Sequence, residues 1–280
     1  MHLANSHSSE AAIFRFRFRY AANIRKLERK MLMKTMLIPG VLALLLGACS
    51  LQAVEPDEVR EILATTMPNL RVATVEKSRL PGFYEIALKN GTVIQFAEDG
   101  KYMVQGDLYS LEGSAGVNLS ESTRNMRRMQ LLDDIAESKM IVFRPEGEVK
   151  RSITIFTDID CGFCRKQHLE VPELNRMGIA VRYLAYPRSG ILDRSGSGAH
   201  TSSYKKLASA WCADNPQEAL TMAKSGQKIE ELDCENPISA QYALGKQLKV
   251  TGTPTILYDD GRKVVGYRNA ARLGTALGVN

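Results

Sequence analysis

Apolar and polar residues alternate through Tyr84-Glu85-Ile86-Ala87-Leu88-Lys89, the period of a strand with one buried face. That run begins at Phe83, and two more strand-like runs follow, Thr92 to Ala97 and Lys101 to Gln105. Asn90-Gly91 and Asp99-Gly100 separate them. Such pairs mark tight hairpins, whose turn residues are expected to tolerate positive φ. A helix over Asp57 to Thr66 precedes this meander, with Val59, Ile62 and Leu63 on one face and Pro68 beyond its end. Beyond the meander, Asn118 to Ser138 has the helical period. Met126, Met129, Leu132 and Ile135 form an apolar stripe opposed by Arg124, Arg127, Arg128, Asp134 and Glu137. Asn118 and Glu121 have the spacing of a capping box. By pattern alone this helix is either a rigid connector or a surface helix packed on its own domain.

From Met140 the pattern changes. Ser152 to Thr157 is a short β-branched, apolar run that predicts a buried strand. A helix follows from Cys161, and Pro172 should kink or divide it. Ala180–Tyr186 is the next strand and Tyr204–Leu248 a helical region. Thr255–Tyr258 and Lys263–Tyr267 are strands joined at Asp260-Gly261, and Ala270–Leu277 is a last helix. Strand, helix, strand, an interposed helical segment, then a hairpin and a helix is the layout of a thioredoxin-like fold with a helical insertion. The expected class is α+β with an α/β unit: a small antiparallel β domain over 54–117, a helix over 118–140, and a thioredoxin-like domain over 141–280. A domain of about sixty residues buries little core by itself, so pairing with a second copy would help it.

Cys161-Gly162-Phe163-Cys164 falls at the turn from the buried strand into its helix. Two cysteines so spaced can close a small disulfide ring and open it again. A helix N-terminus favours the thiolate, which is the reactive species. Cys161 is the better placed of the two for this effect and for exposure, and is assigned as the nucleophile, with Cys164 as its partner. His168 follows Cys164 by four residues on the same helical face. No fourth ligand accompanies these three, so it is read as a histidine near the helix surface without a metal role, and no metal or cofactor is expected. Arg165 stands where a c-type haem motif needs histidine.

Upstream, Lys34 is followed by an uncharged stretch ending in Leu46-Gly47-Ala48-Cys49, the form of an export signal and too short for a comfortable membrane span. Residues 1–48 are read as leader and signal. Initiation at Met31 or Met33 would give an ordinary signal, which makes residues 1–30 a mis-assigned start. Leu46-Gly47-Ala48-Cys49 also resembles a lipobox, in which Cys49 carries a lipid and anchors the protein. The alternative is cleavage just beyond it, near Ser50 or Ala53, and both readings stand. Residues 1–34 carry eight basic and two acidic side chains, an excess equal to the formal +6 of all 280 residues. The rest is neutral on balance, so the basic pI says nothing of nucleic acid. An exported chain meets an oxidising compartment where disulfides persist. With Cys161 and Cys164 as the reactive pair, Cys212 and Cys234 remain to close a second, structural loop.

Thr253-Pro254 opens the third strand of this layout, after Gly252 and before Thr255-Ile256-Leu257. Several further segments are specific: Phe156-Thr157-Asp158 before the cysteine pair, the run Val181 to Arg188, and Ala210-Trp211-Cys212. Tyr242-Ala243-Leu244-Gly245 and Thr251-Gly252-Thr253-Pro254 complete the set. On these segments the sequence resembles the DsbC family of periplasmic thiol:disulfide interchange proteins, over essentially all of the mature chain. The resemblance implies a V-shaped homodimer joined through the N-terminal domain, with the amphipathic helix as linker. It implies a cis-proline at Pro254 facing the cysteine turn, with Thr253, Pro254, Gly162 and Phe163 holding the substrate segment. The implied function is a disulfide isomerase and reductase that rearranges wrong disulfides in exported proteins, with chaperone-like client binding and an inner-membrane electron donor of the DsbD type. A client-binding dimer of the DsbG type and a dithiol oxidase are the alternatives. Gly162, Cys212 and Cys234 favour the DsbC side. Phe163, where tyrosine is usual, Pro172 and the lipobox at Cys49 are departures from the family pattern.

Overall fold

A computed structural model describes residues 54–113 and 115–279; the leader, the export signal and Cys49 lie outside the described residues. The first sheet contains β1 (Val72–Lys77), β2 (Phe83–Leu88), β3 (Val93–Ala97) and β4 (Met103–Gln105), antiparallel and in sequence order. Helix α1 (Pro56–Thr66) contributes Val59 and Leu63 to a core with Tyr84, Ile86, Leu88, Ile94 and Phe96. The alternation read along β2 therefore orients it as expected. β1 is an additional strand. Its residues are only half-buried at an edge and its register breaks between Val72 and Thr74, so its apolar pattern is weak. The other face of β3 carries buried Gln95, which donates to Glu85 and accepts from Ser78, while Thr123 also donates to Glu85.

The hairpins form, but for a different reason than paired positive-φ residues. At Asn90-Gly91 and Asp260-Gly261 only the glycine lies at positive φ, 77° and 82°. The Asn90 and Asp260 carboxamide and carboxylate oxygens instead accept from the N–H two residues on, at 3.0 Å in each case, which is Asx-turn chemistry.

Short strands β5 (Tyr109–Ser110) and β6 (Val117–Asn118) lead into α2 (Leu119–Asp133). Asn118 caps it by accepting from Glu121 N at 2.9 Å. The reciprocal arm of the capping box is absent, because the Glu121 carboxylate pairs with Arg124 and Arg128. The expected apolar stripe is split. Leu132 and Ile135 pack against a cluster of Phe156, Leu184, Tyr186 and Leu257, whereas Met126 and Met129 are exposed. Ser120 and Arg128 take the buried positions on the helix. The Arg128 guanidinium donates to Asn125 and to the carbonyl of Gly261, so hydrogen bonding rather than apolar burial seats this face.

The second sheet has the order β11-β10-β8-β9-β7. It contains β7 (Ile141–Phe143), β8 (Arg151–Thr157), β9 (Ile179–Ala185), β10 (Thr255–Tyr258) and β11 (Lys263–Val265). β8 and β9 are parallel and the other pairs antiparallel. The central strand β8 is buried on both faces, which explains its continuous β-branched run. β7 is a three-residue edge strand too short to stand out in the sequence. Between β8 and β9, Pro172 divides the helix into α3 (Gly162–His168) and α4 (Val171–Arg176). The helical insertion resolves into α5 (Ser202–Cys212), α6 (Pro216–Ser225) and α7 (Ile238–Gln247), and α8 (Ala270–Leu277) closes the domain. Cys212 and Cys234 are joined by a disulfide across 22 residues. A loop of that size corresponds to about 3 kcal/mol in the chain-entropy model.

Candidate active site

The site is assembled where β8 ends. Asp158 is 1% exposed and its carboxylate is fully engaged. Oδ1 accepts from Asp160 N and from Ser203 Oγ, and Oδ2 from Arg188 N, each at 2.8 Å. These bonds tie the turn before α3 to the loop after β9 and to α5. Cys161 stands at the N-cap of α3 with its N–H directed to Asp158 O. Its thiol donates to Thr253 O at 3.2 Å. The Thr253–Pro254 peptide is cis and lies just before β10. Cys161, Cys164, Thr253 and Pro254, separated by some ninety residues in sequence, therefore meet at one point. Gly162 has open space where a side chain would project, and Phe163 is 65% exposed beside it.

The two cysteines are free thiols in different electrostatic surroundings. Burial opposes ionisation of Cys161. The Thr253 side chain, the N–H and thiol of Cys164 and the charge of Arg188 outweigh it, and the thiol is held below its ordinary value. Thr253 Oγ1 is itself buried with no hydrogen-bond partner among the described residues, and it favours the thiolate of either cysteine. At Cys164 burial dominates and pushes the thiol up, against the opposing charge of Lys224. Exposure does not separate the pair, as the sequence reading had it: Cys161 is 2% exposed and Cys164 1%. The balance of desolvation against hydrogen bonding separates them, burial prevailing at Cys164 and the hydrogen bonds at Cys161. Two thiols pushed in opposite directions are suited to a nucleophile and a resolving partner.

The match to known proteins agrees with this geometry. Residues 50–121 fit the disulfide bond isomerase protein N-terminal domain, and residues 137–278 fit the thioredoxin-like domain. A thiol:disulfide interchange protein DsbC from Dickeya dadantii is 37% identical over 199 residues, covering 71% of this chain and 77% of its own. The chain belongs to the DsbC family. DsbC from Escherichia coli K12 is also 37% identical, over 65% of this chain and 71% of its own. A disulfide interchange protein structure from Neisseria gonorrhoeae aligns with 51% of this chain and 96% of that one, at 25% identity and a TM-score of 0.44.

Behind the cysteines of this DsbC-family site lies a buried polar group that the sequence reading missed or misplaced. His168 is buried, not near the surface: its ring nitrogens share hydrogen bonds with Tyr183 OH and Thr221 Oγ1, both at 3.0 Å. Burial, aided by the charge of Lys224, lowers its pKa to about 4, so it is neutral at physiological pH. Lys224 is 3% exposed and donates to Thr157 Oγ1 at 2.7 Å. Its signal was present in helical phase, since it follows buried Leu220 by one turn and lies beside Ala223. Asp158 had no such signal.

Burial lowers the Lys224 pKa from 10.5 to about 8. The unfolded chain therefore holds this proton more tightly than the folded one. The destabilisation is complete below pH 8, shrinks between 8 and 10.5 as the folded amine is already neutral, and is gone above. It amounts to about 3 kcal/mol, offset by about 1 for the Thr157 hydrogen bond. Lys224→Met is accordingly expected to be more stable by about 2 kcal/mol at pH 7. Denaturant midpoints at pH 7 and pH 10.5 check this: the gain should vanish at the higher pH, and a gain independent of pH would refute the electrostatic origin.

Proposed function

We propose that this DsbC-family chain is a thiol:disulfide isomerase and reductase acting through a mixed disulfide at Cys161. The observation that carries this reading is the Cys161 thiol bonded to Thr253 O beside the cis Thr253–Pro254 peptide, with a low thiol at Cys161 paired to a high one at Cys164. The Cys161 thiolate attacks one sulfur of a mispaired client disulfide, forming Cys161–S–S–client and releasing the other client sulfur as thiolate. A second client thiolate can then attack the client sulfur, which regenerates Cys161 and completes rearrangement. Alternatively Cys164 attacks Cys161, which leaves the client reduced and the enzyme oxidised by two electrons. Thr253, Pro254, Gly162 and exposed Phe163 present the client segment to the thiolate.

The same reading includes a homodimer in the periplasm, supplied with electrons by an inner-membrane donor of the DsbD type and acting on misoxidised exported proteins. Support for the second copy comes from the N-terminal domain. β4 is a sheet edge, and Tyr102, Val104, Tyr109 and Leu111 around it are exposed apolar residues. Phe163, Leu169 and Leu192 are exposed apolar residues of the thioredoxin-like domain, suited to unfolded clients.

Cys164→Ala, expressed in the periplasm, should accumulate client mixed disulfides at Cys161, visible as reducible adducts on gels and by mass spectrometry. Absence of adducts would overturn the mechanism. Sedimentation of the intact protein should give twice the chain mass, and Val104→Lys should shift it toward the monomer. The mass of the mature N-terminus decides between a lipidated Cys49 and cleavage beyond it.

A further inference from the structure

Lys224 is a buried charge that the proposed reaction does not use. Its ammonium makes one hydrogen bond, to Thr157 Oγ1, lies 5.5 Å over the Tyr183 ring, and forms no ion pair among the described residues. An ammonium buried without a counterion is among the least favourable groups a core can hold. It is held there by α6, which packs against α3: His168, one turn from Cys164, bonds Thr221, one turn from Lys224, at 3.0 Å, so the antiparallel register brings Lys224 toward Cys164. The charged and titratable groups around it are Cys161, Cys164, Arg165 and His168 on α3 and at its start, Asp158 at the end of β8, and Tyr183 on β9. Asp158 is already committed to Asp160, Arg188 and Ser203. His168 is committed to Tyr183 and Thr221.

We propose that Lys224 is a positioning residue for Cys164: its uncompensated ammonium, fixed behind the resolving thiol, favours the Cys164 thiolate and so sets how quickly the mixed disulfide is released by intramolecular attack. This rests on the assignment of Cys161 and Cys164 as nucleophile and resolving thiol. The step balances as follows. Cys164 loses its proton to solvent, and the thiolate is stabilised by Lys224. That thiolate attacks Cys161 Sγ, the Cys161–client S–S bond breaks, and the Cys161–Cys164 bond forms. The client sulfur leaves as a thiolate and takes a proton from solvent. The enzyme pair is oxidised and the client reduced by the same two electrons.

The consequence is a partition. Escape through Cys164 competes with attack by a second client thiol, and the charge on Lys224 biases that competition toward escape. Lys224 is the first of the groups that counter the burial of Cys164. Removing it leaves the resolving thiol protonated to higher pH, lengthens the life of the mixed disulfide, and shifts the balance from reduction to rearrangement.

The test uses the full-length mature protein and glutathione as the client. Reduced enzyme is mixed with oxidised glutathione, and the mixed disulfide at Cys161 is followed by acid quench and mass spectrometry from pH 5 to 9. Lys224→Met and Lys224→Gln are expected to release the second glutathione about tenfold more slowly at pH 7, with the pH profile displaced upward by about one unit. Lys224→Arg, which keeps the charge, is expected to stay within about threefold of the wild type, a rescue that a packing role would not produce. A wild-type release rate and profile in Lys224→Met would overturn the proposal. So would an arginine variant as slow as the methionine one. If no mixed disulfide forms at Cys161 in the wild type, the underlying mechanism fails instead, so the two failures are distinguishable.

Discussion

Cys161→Ser should lose at least about 10³-fold in the rate of rearranging a scrambled multi-disulfide protein, because removing a covalent nucleophile removes the whole pathway. A serine hydroxyl is not ionised at neutral pH, and its oxygen cannot form the S–S bond on which every later step depends. Cys164 does not substitute for it. Its thiol is buried and pushed up by that burial, so little thiolate exists at pH 7. The fold should be indifferent to the change: the Cys161 thiol makes a hydrogen bond to Thr253 O that a hydroxyl can also make. The check is a refolding assay on a scrambled substrate, beside denaturant unfolding of the variant itself. Isomerisation within tenfold of the wild type would sink the mechanism, and a large loss of stability would move Cys161 from chemistry to structure.

Asp158→Ala should destabilise the protein by about 1–3 kcal/mol, the cost of leaving a buried donor without its acceptor. Three donors lose their acceptor at once: Asp160 N, Arg188 N and Ser203 Oγ. Ser203 is the buried one of the three, and its unsatisfied hydroxyl carries most of that cost, since Asp160 and Arg188 are exposed and their N–H groups can turn to water. Arg188 also loses the carboxylate 3.7 Å from its Nε. Because Asp158 anchors the turn that presents Cys161, loss of reductase activity should accompany loss of stability. Urea unfolding of wild type and variant measures the effect. A difference below about 1 kcal/mol would show that this carboxylate does not hold the turn.

Much of this fold is legible in the sequence. Alternation through Tyr84, Ile86 and Leu88 placed the inner face of β2, Pro172 marked the break between α3 and α4, and Asn118 marked the start of α2. These are signals of period, φ restriction and side-chain-to-backbone bonding, which act within a few residues. The errors occurred where a residue had two available partners. Glu121 was within reach of Asn118 N but turned to Arg124 and Arg128. Met126 and Met129 had helical spacing but no apolar surface to meet, while Arg128 found the carbonyl of Gly261. Edge strands β1 and β7 were missed because half-buried or very short strands carry little pattern.

By itself, the sequence determined a cysteine pair at a strand-to-helix turn, the order of the main elements around it and the second cysteine pair, since all of these depend on local spacing. Only the tertiary structure decided which thiol is low and which is high. At Cys161 the Thr253 side chain, the groups of Cys164 and the charge of Arg188 outweigh burial, whereas at Cys164 burial outweighs Lys224 and Thr253, all of them but Cys164 brought from distant parts of the chain. Desolvation and charge at a few ångströms depend on who the neighbours are. For Cys161 and Cys164 those neighbours are set by the packing of α6 and the Thr253–Pro254 turn against α3.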